Sequence, residues 1–323
     1  MKVLFIGGTG IISSACSRTA LERGIELYHF NRGVSHRRIN GVRTIKGDIR
    51  NPGQAGEILA EYTFDVVVNW INFVPEHVKT DVELFKGKVK QYIFISSASA
   101  YKKPVTELPI TEETPLENPY WQYSRGKIAC EEYLLREYRE AGFPVTIVRP
   151  SHTYDNTLLP TDWGYTVLHR IKKGKKIIVH GDGTSLWVLT HHKDFAVGFV
   201  GLLGRWEALG QAYHITSDEL LPWNSIYELL AEACGMELNC VHIPSDIIAR
   251  YDQRMGASLL GDKAHSVIFD NSKIKSLVPE FNAEIPFARG VKEIAAWYNE
   301  HPERQIVDKN TDALIDKIID EYT

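Results

Sequence analysis

The stretch KVLFIGGTGIISSACSRTALERG, Lys2 to Gly24, decides the fold of this chain. Apolar residues from Val3 to Ile6, closed by glycine, read as a short strand buried on both faces of a parallel sheet. A glycine turn follows at once. Gly7 and Gly8 let the chain reverse tightly, Gly10 lets backbone approach a ligand where a Cβ would collide, and the apolar run from Ile11 continues as a helix. Free N–H groups at the positive end of that helix would face a pyrophosphate, with Thr9, Ile11 and Ile12 beside Gly7 and Gly10. The third small position of the turn is Ser13 instead of glycine or alanine, which predicts a slightly wider helix–strand contact without loss of binding.

Outward from this turn, strands and helices alternate, which predicts an α/β fold: a Rossmann-type doubly wound parallel sheet. IELYHF (Ile25 to Phe30), VRTIKGD (Val42 to Asp48), FDVVVNW (Phe64 to Trp70), QYIFISSASAY (Gln91 to Tyr101) and VTIVRPS (Val145 to Ser151) read as the following strands, and QAYHITS (Gln211 to Ser217) as the last. Ligand belongs beyond their carboxyl ends. At the tip of the second strand, an acidic side chain would accept from the ribose 2′-hydroxyl of NAD. Here Asn31 and Arg32 stand instead, with Arg37 and Arg38 close behind. A neutral amide and a guanidinium suit a 2′-phosphate, so NADP is preferred over NAD, the alternative being a solvated loop arginine. Asp48 and Ile49 fall where an adenine ring would be edged, although Asp48 could equally cap the helix near Pro52. Trp70, Pro150 and Ser151 end strands on the cofactor side.

A connector, Lys102 to Pro119, leads to a long helix, Tyr120 to Gly142. On it Tyr123 and Lys127 share a face, and an ammonium beside a phenol lowers the phenol toward the range of a general base. After Asp155 the character changes. A Leu158–Trp163 loop, a basic helix end at Lys172–Lys176, KIIVHGDG, and the segment from Leu221 onward build a smaller, mostly helical C-terminal lobe over the cleft. The expected division is 1–155 with 186–218 for the dinucleotide domain, and 156–185 with 219–323 for the substrate lobe. Asp194 is expected to cap a helix. Leu314, Ile315, Ile318, Ile319 and Tyr322 form one apolar stripe on the last helix.

The 323 residues allow a large core, and 44% hydrophobic with 24% charged residues is ordinary for a soluble protein. A net charge of −4 makes no electrostatic case for nucleic acid or membrane. The chain runs straight into a strand, with no basic leader and no apolar run of about 20 residues, so a cytoplasmic protein is expected. Cys16, Cys130, Cys234 and Cys240 form no C-x-x-C pair, and the adjoining His191 and His192 have no second ligand set, so neither disulfide nor metal is expected.

In order, GGTGIIS, Asp48-Ile49, SSASAY (Ser96 to Tyr101), YSRGK (Tyr123 to Lys127), RPSHTYD (Arg149 to Asp155) and GDGTSLWVLTHHKD (Gly181 to Asp194) resemble the extended short-chain dehydrogenase/reductases, specifically the NAD(P)-dependent epimerase/dehydratase group. The resemblance covers most of the chain. It implies that Ser97 hydrogen-bonds the substrate oxygen, Tyr123 is the acid/base, and Lys127 binds the nicotinamide ribose. It also implies a homodimer built on paired long helices. Sugar 4,6-dehydratases of this group carry an Asp-Glu pair where this chain has Ala98 and Ser99, so that dehydration lacks its acid and base. Trp187 stands where an arginine usually clamps a nucleotide diphosphate, and His152 where an asparagine is common near substrate. Ser99, His152 and Trp187 are therefore the candidate substrate contacts. A smaller sugar or an aromatic-stacking substrate is an alternative to a nucleotide sugar, and the sequence leaves epimerase, reductase and dehydrogenase open. Two rival readings follow from the same resemblance: an RNA-associated relative of the chloroplast stem-loop binding proteins, and a redox-sensing NADP-binding regulator.

Overall fold

Wholly apolar strands become the middle of a sheet covered on both faces. The computed structural model describes residues 1–35, 37–305 and 307–323. The strands β1 (Lys2–Ile6), β2 (Glu26–Asn31), β3 (Arg43–Lys46), β4 (Val66–Asn69), β5 (Gln91–Ile95) and β6 (Val145–Pro150) pair in parallel. With β11 (Ala212–Ile215) they make a seven-stranded sheet in the order β11-β6-β5-β4-β1-β2-β3. This is the Rossmann order extended by one strand, and the reversal at β1 opens the crevice where such sheets bind ligands. Val3, Leu4, Phe5 and Ile6 are entirely buried, as a strand flanked by two helical layers must be.

Helices α1 (Ile11–Glu22) and α6 (His192–Gly201) cover one face, where Val3, Phe5, Val66 and Val68 pack with Phe195 and Phe199. On the other face lie α2 (Pro52–Leu59), α3 (Pro75–Phe85) and α4 (Gln122–Ala141), with Val78, Val82, Cys130 and Leu134 against Leu4, Val67 and Tyr92. Gly142, at φ 65°, ends α4 in the left-handed conformation that glycine adopts without a Cβ penalty.

The second lobe has its own core. It holds α5 (Tyr165–Lys172), α7 (Trp223–Ala233), α8 (Ser245–Tyr251), α9 (Gln253–Ser258), α11 (Phe287–Glu300) and α12 (Lys309–Tyr322). Three small strand pairs complete it and join it to the sheet: β7 (His152–Tyr154) with β10 (Leu189–His191), β8 (Ile177–His180) with β13 (Cys240–Ile243), and β9 (Leu186–Trp187) with β12 (Leu221–Pro222). Ile274 on α10 (Ser272–Leu277), with Val278 and Phe281, packs beside α6 in the sheet's core, so part of the 219–323 segment returns to the first lobe.

Several local expectations are corrected. The long helix starts at Gln122, not Tyr120, because the Asn118 side chain accepts from the amides of Tyr120 and Trp121 (3.2 and 3.0 Å) and holds them in a turn. His191, not Asp194, caps α6, and Asp194 instead accepts from the Ile285 amide at 2.9 Å. Asn51 caps α2, leaving Asp48 to accept from the Arg50 amide (2.9 Å). The stripe on α12 stops at Ile319, since Tyr322 is 46% exposed. Arg170 and Lys175 are ion-paired to Asp312 and Asp316 on α12, so the basic segment staples two helices together. No helix among the described residues is long and apolar enough to cross a membrane.

Candidate active site

The turn after β1 takes up the geometry that its glycines allow. Gly7 and Gly8 have φ of +98° and +94°, and a Cβ on Gly8 would sit 2.5 Å from the His29 ring. Helix α1 opens at Ile11 with no acidic residue in its first turn, leaving its positive end free for an anion. The Ser13 hydroxyl accepts from the Gly10 amide (2.8 Å), a bond that glycine or alanine could not make.

A cleft of about 440 Å³ runs from this turn across the carboxyl ends of β1, β4, β5 and β6. Gly7, Thr9, Gly10, Ile11, Ile12, Trp70, Pro150 and Ser151 line it, together with Ser97, Tyr123 and Lys127. The Trp70 ring packs on Phe5 and Phe199, and its indole N–H is buried with no partner among the described residues. A neighbouring recess of about 400 Å³ shares Gly7 and Thr9 and is lined by Asn31, Arg32, Asp48 and Ile49. Arg50, Phe73 and His77 also line that recess, and nothing in the sequence reading singled them out. A simple signal was available for Phe73, which lies in the loop four residues past the end of the fourth strand, on the ligand side of the sheet. The two recesses, the tight glycine turn and the open helix end fit an extended dinucleotide.

On the far side, Ser97, Tyr123, Pro150, Ser151 and His152 form a wall shared with a third cavity of about 220 Å³. Ser99 and Trp187 line this cavity, as do Trp121, Asp262, Lys263 and Phe269. Asp262 and Lys263 sit on a π-helical turn, Leu259–Lys263, following α9, an irregularity that recurs at functional sites. Lys263 donates to Ser258 Oγ (2.6 Å) and is 3.3 Å from Asp162, while Asp262 is 3.3 Å from buried Lys103.

The strand end after β5 presents its hydroxyls in a chain: Ser97 Oγ lies 2.9 Å from Ser99 Oγ, which accepts from Ser124 Oγ at 2.8 Å. Ser99 thus braces Ser97 as well as lining the cavity. The Lys127 ammonium donates to the carbonyls of Asn72 (2.5 Å) and Ile95 (2.8 Å) and lies 5.7 Å from the Tyr123 ring centre. Burial pulls Lys127 down to about 8. The expected lowering of the Tyr123 phenol does not hold here. Burial raises it, with the Ser97 hydroxyl opposing and Asp262 adding to the rise, while the ammonium is turned toward the two carbonyls. Beneath this group, buried Asp81 accepts from Asn69, Asn72 and Tyr92 (2.6, 2.6 and 2.5 Å), and burial lifts its carboxyl to about 6.

No cluster of His, Cys, Asp or Glu with metal-holding geometry occurs among the described residues. The four cysteines are free, and burial raises all of their thiols.

Fold and site together define a dinucleotide-binding α/β protein with a second cavity against its cofactor cleft. The NAD dependent epimerase/dehydratase family matches residues 3–216, and the chain belongs to that family. Among curated relatives, a chloroplast stem-loop binding protein of 41 kDa from Arabidopsis thaliana is 28% identical over 258 residues, covering 75% of this chain and 65% of that protein. A UDP-glucose 4-epimerase from Lactobacillus helveticus is 30% identical over 169 residues, 46% of this chain and 51% of the relative. The matches thus span less than two thirds of either relative. In three dimensions the chain is similar to UDP-glucose 4-epimerase from Bifidobacterium longum in complex with NAD+ and UDP (TM-score 0.74, 19% identity, 94% of this chain and 100% of that one). It is similar also to dTDP-glucose 4,6-dehydratase from Bacillus anthracis in complex with NAD (TM-score 0.76, 20% identity, 94% and 98%).

Proposed function

We propose that the chain is an NAD(P)-dependent oxidoreductase or epimerase acting at a carbinol carbon of a sugar or nucleotide-sugar-like substrate. The observation that carries this is the shared wall: Ser97 and Tyr123 face both the dinucleotide cleft and the smaller cavity, so a cofactor ring and a substrate carbon can meet there. A bound nicotinamide supplies the hydride chemistry. The Tyr123 hydroxyl, as phenolate, takes the substrate hydroxyl proton in the oxidative direction and returns it in the reductive one. Ser97 donates to the same oxygen and opposes the burial that raises the phenol, and Lys127, turned to the Asn72 and Ile95 carbonyls, holds the nicotinamide ribose. Arg32 favours NADP over NAD by pairing with a 2′-phosphate. Ala98 and Ser99 offer no carboxylate for dehydration, which favours epimerase or reductase chemistry.

The test is Tyr123→Phe. Turnover of UDP-glucose or another member of a sugar and nucleotide-sugar panel, followed at the reduced-nicotinamide absorbance for net oxidation or reduction and by product stereochemistry for epimerisation, should fall by about 10²–10⁴-fold with cofactor affinity nearly unchanged. Retained turnover would refute the assignment.

The likeness to a stem-loop binding protein favours a second reading, RNA association without hydride transfer. A net charge of −4 gives it little electrostatic support. Salt-dependent RNA binding, with neither cofactor reduction nor epimerised product from any panel member, would select it.

A further inference from the structure

The Trp187 indole N–H points at His152, with Nε1 3.3 Å from Nδ1 and the two rings nearly perpendicular at 85°. An indole nitrogen can only donate, so His152 Nδ1 must be the acceptor and carries no proton. The neutral ring then holds its hydrogen on Nε2, and its tautomer follows from this one contact.

Both partners are fixed. Trp187 is 4% exposed, paired through β9 to Leu221 on β12, and packed on Trp223 at 5.5 Å between ring centres. His152 is held in β7 by its pairing with Leu189 on β10. Burial and the nearby Lys263 ammonium both keep the imidazole neutral, with Asp162 opposing more weakly. His152 borders the small cavity and the dinucleotide cleft, and no group among the described residues accepts from its Nε2. His152 is partly exposed, so an N–H at this place is free to meet water or a group bound in the cavity.

We propose that His152, held by Trp187 in the Nε2–H tautomer, donates a hydrogen bond to a hydroxyl or carbonyl oxygen of the substrate, next to the carbon served by Ser97 and Tyr123. Trp187 is then a positioning residue: its N–H is committed to His152, and it acts neither as a diphosphate clamp nor as an open stacking platform. The inference rests on the small cavity being the substrate site, as proposed above. It commits that site to a substrate with an acceptor oxygen at this position.

Nitrogen NMR of the full chain saturated with NADP separates this proposal from the hydride-transfer reading, because it needs no turnover. At neutral pH, His152 should show a protonated Nε2 and a bare, hydrogen-bonded Nδ1. In Trp187→Phe, which keeps a ring but loses the donor, the Nδ1 resonance should move to its unbonded position. A proton on Nδ1, an imidazolium, or no response to Trp187→Phe would overturn the lock. D-glucose and UDP-glucose serve as probes of the donor. At least one should shift the Nε2–H resonance, and Trp187→Phe should weaken its binding about 3–10-fold, the worth of one neutral hydrogen bond. His152→Gln, which restores an N–H donor, should bind that probe more tightly than His152→Ala. Failure of both probes to move the resonance, or equal binding by the two His152 variants, would overturn the donor role even if Tyr123→Phe abolishes turnover.

Discussion

The Lys127 ammonium donates to the carbonyl oxygen of Asn72 at 2.5 Å, so the proposed ribose-binding side chain is tied to the loop that follows β4. Replacing Lys127 with methionine should weaken NADP binding about 10–100-fold, the worth of a charge-assisted hydrogen bond, and lower turnover with it. Isothermal titration against the unmutated protein measures the first effect.

The same ammonium sets a pH dependence. Burial holds Lys127 at about 8 against 10.5 when exposed. The cost of burying its charge is therefore fully present below about 8 and is relieved as pH rises toward 10.5, because the unfolded chain binds more protons in that window. Unfolding titrations should show the unmutated protein gaining stability over this range relative to Lys127→Met. Cofactor affinity should fall over the same range as the ammonium discharges.

Gly126 lies against the Phe73 carbonyl, and a Cβ there would be 2.5 Å from that oxygen. The obstacle is backbone, so it cannot rotate aside. Gly126→Ala should cost about 1–3 kcal/mol and push the Asn72–Phe73 loop off Lys127, raising the NADP dissociation constant as well. A melting curve and a binding titration check both. Unchanged values would show that the loop yields freely.

Arg32 lies on the rim of the adenosine-side recess, exposed and next to Asn31, whose side chain accepts from the Gly33 amide at 2.9 Å. Arg32→Ala should weaken NADP about 10-fold or more and leave NAD unaffected. Equal affinity for the two dinucleotides before mutation would remove the NADP preference.

Asp81 takes three hydrogen bonds on one oxygen while its other oxygen has no partner among the described residues. Its carboxyl is raised to about 6 from 3.8. The burial cost of the charged form is present above about 6 and disappears as pH falls to 3.8, so this group adds stability on acidification. Asp81→Asn should flatten stability over that interval. Asp81→Ala should cost about 3 kcal/mol or more by stranding three buried donors. Urea unfolding at two pH values distinguishes them.

The framework was legible because its signals are local. Val3 to Ile6 could only be a doubly covered strand, and the spacing of Gly7, Gly10 and the following helix is carried by contiguous residues. Tyr123 and Lys127 lie on one helical turn and needed no tertiary knowledge. The cavity's other wall was not legible. Lys263 and Asp262 meet Tyr123 only through folding of the second lobe, on a π-helical turn with no sequence signature. Burial also reversed the expected shift of the Tyr123 phenol, because the sequence reveals neighbours along a helix but not how deeply water is excluded around them.

The two ionic side chains that line the cavity, Lys263 and Asp262, are each paired with a group behind the wall, Asp162 and Lys103 respectively. Its lining is thereby close to electroneutral, and an incoming molecule meets oriented dipoles instead of a net field. The rate of the bond-making step should therefore be nearly indifferent to ionic strength.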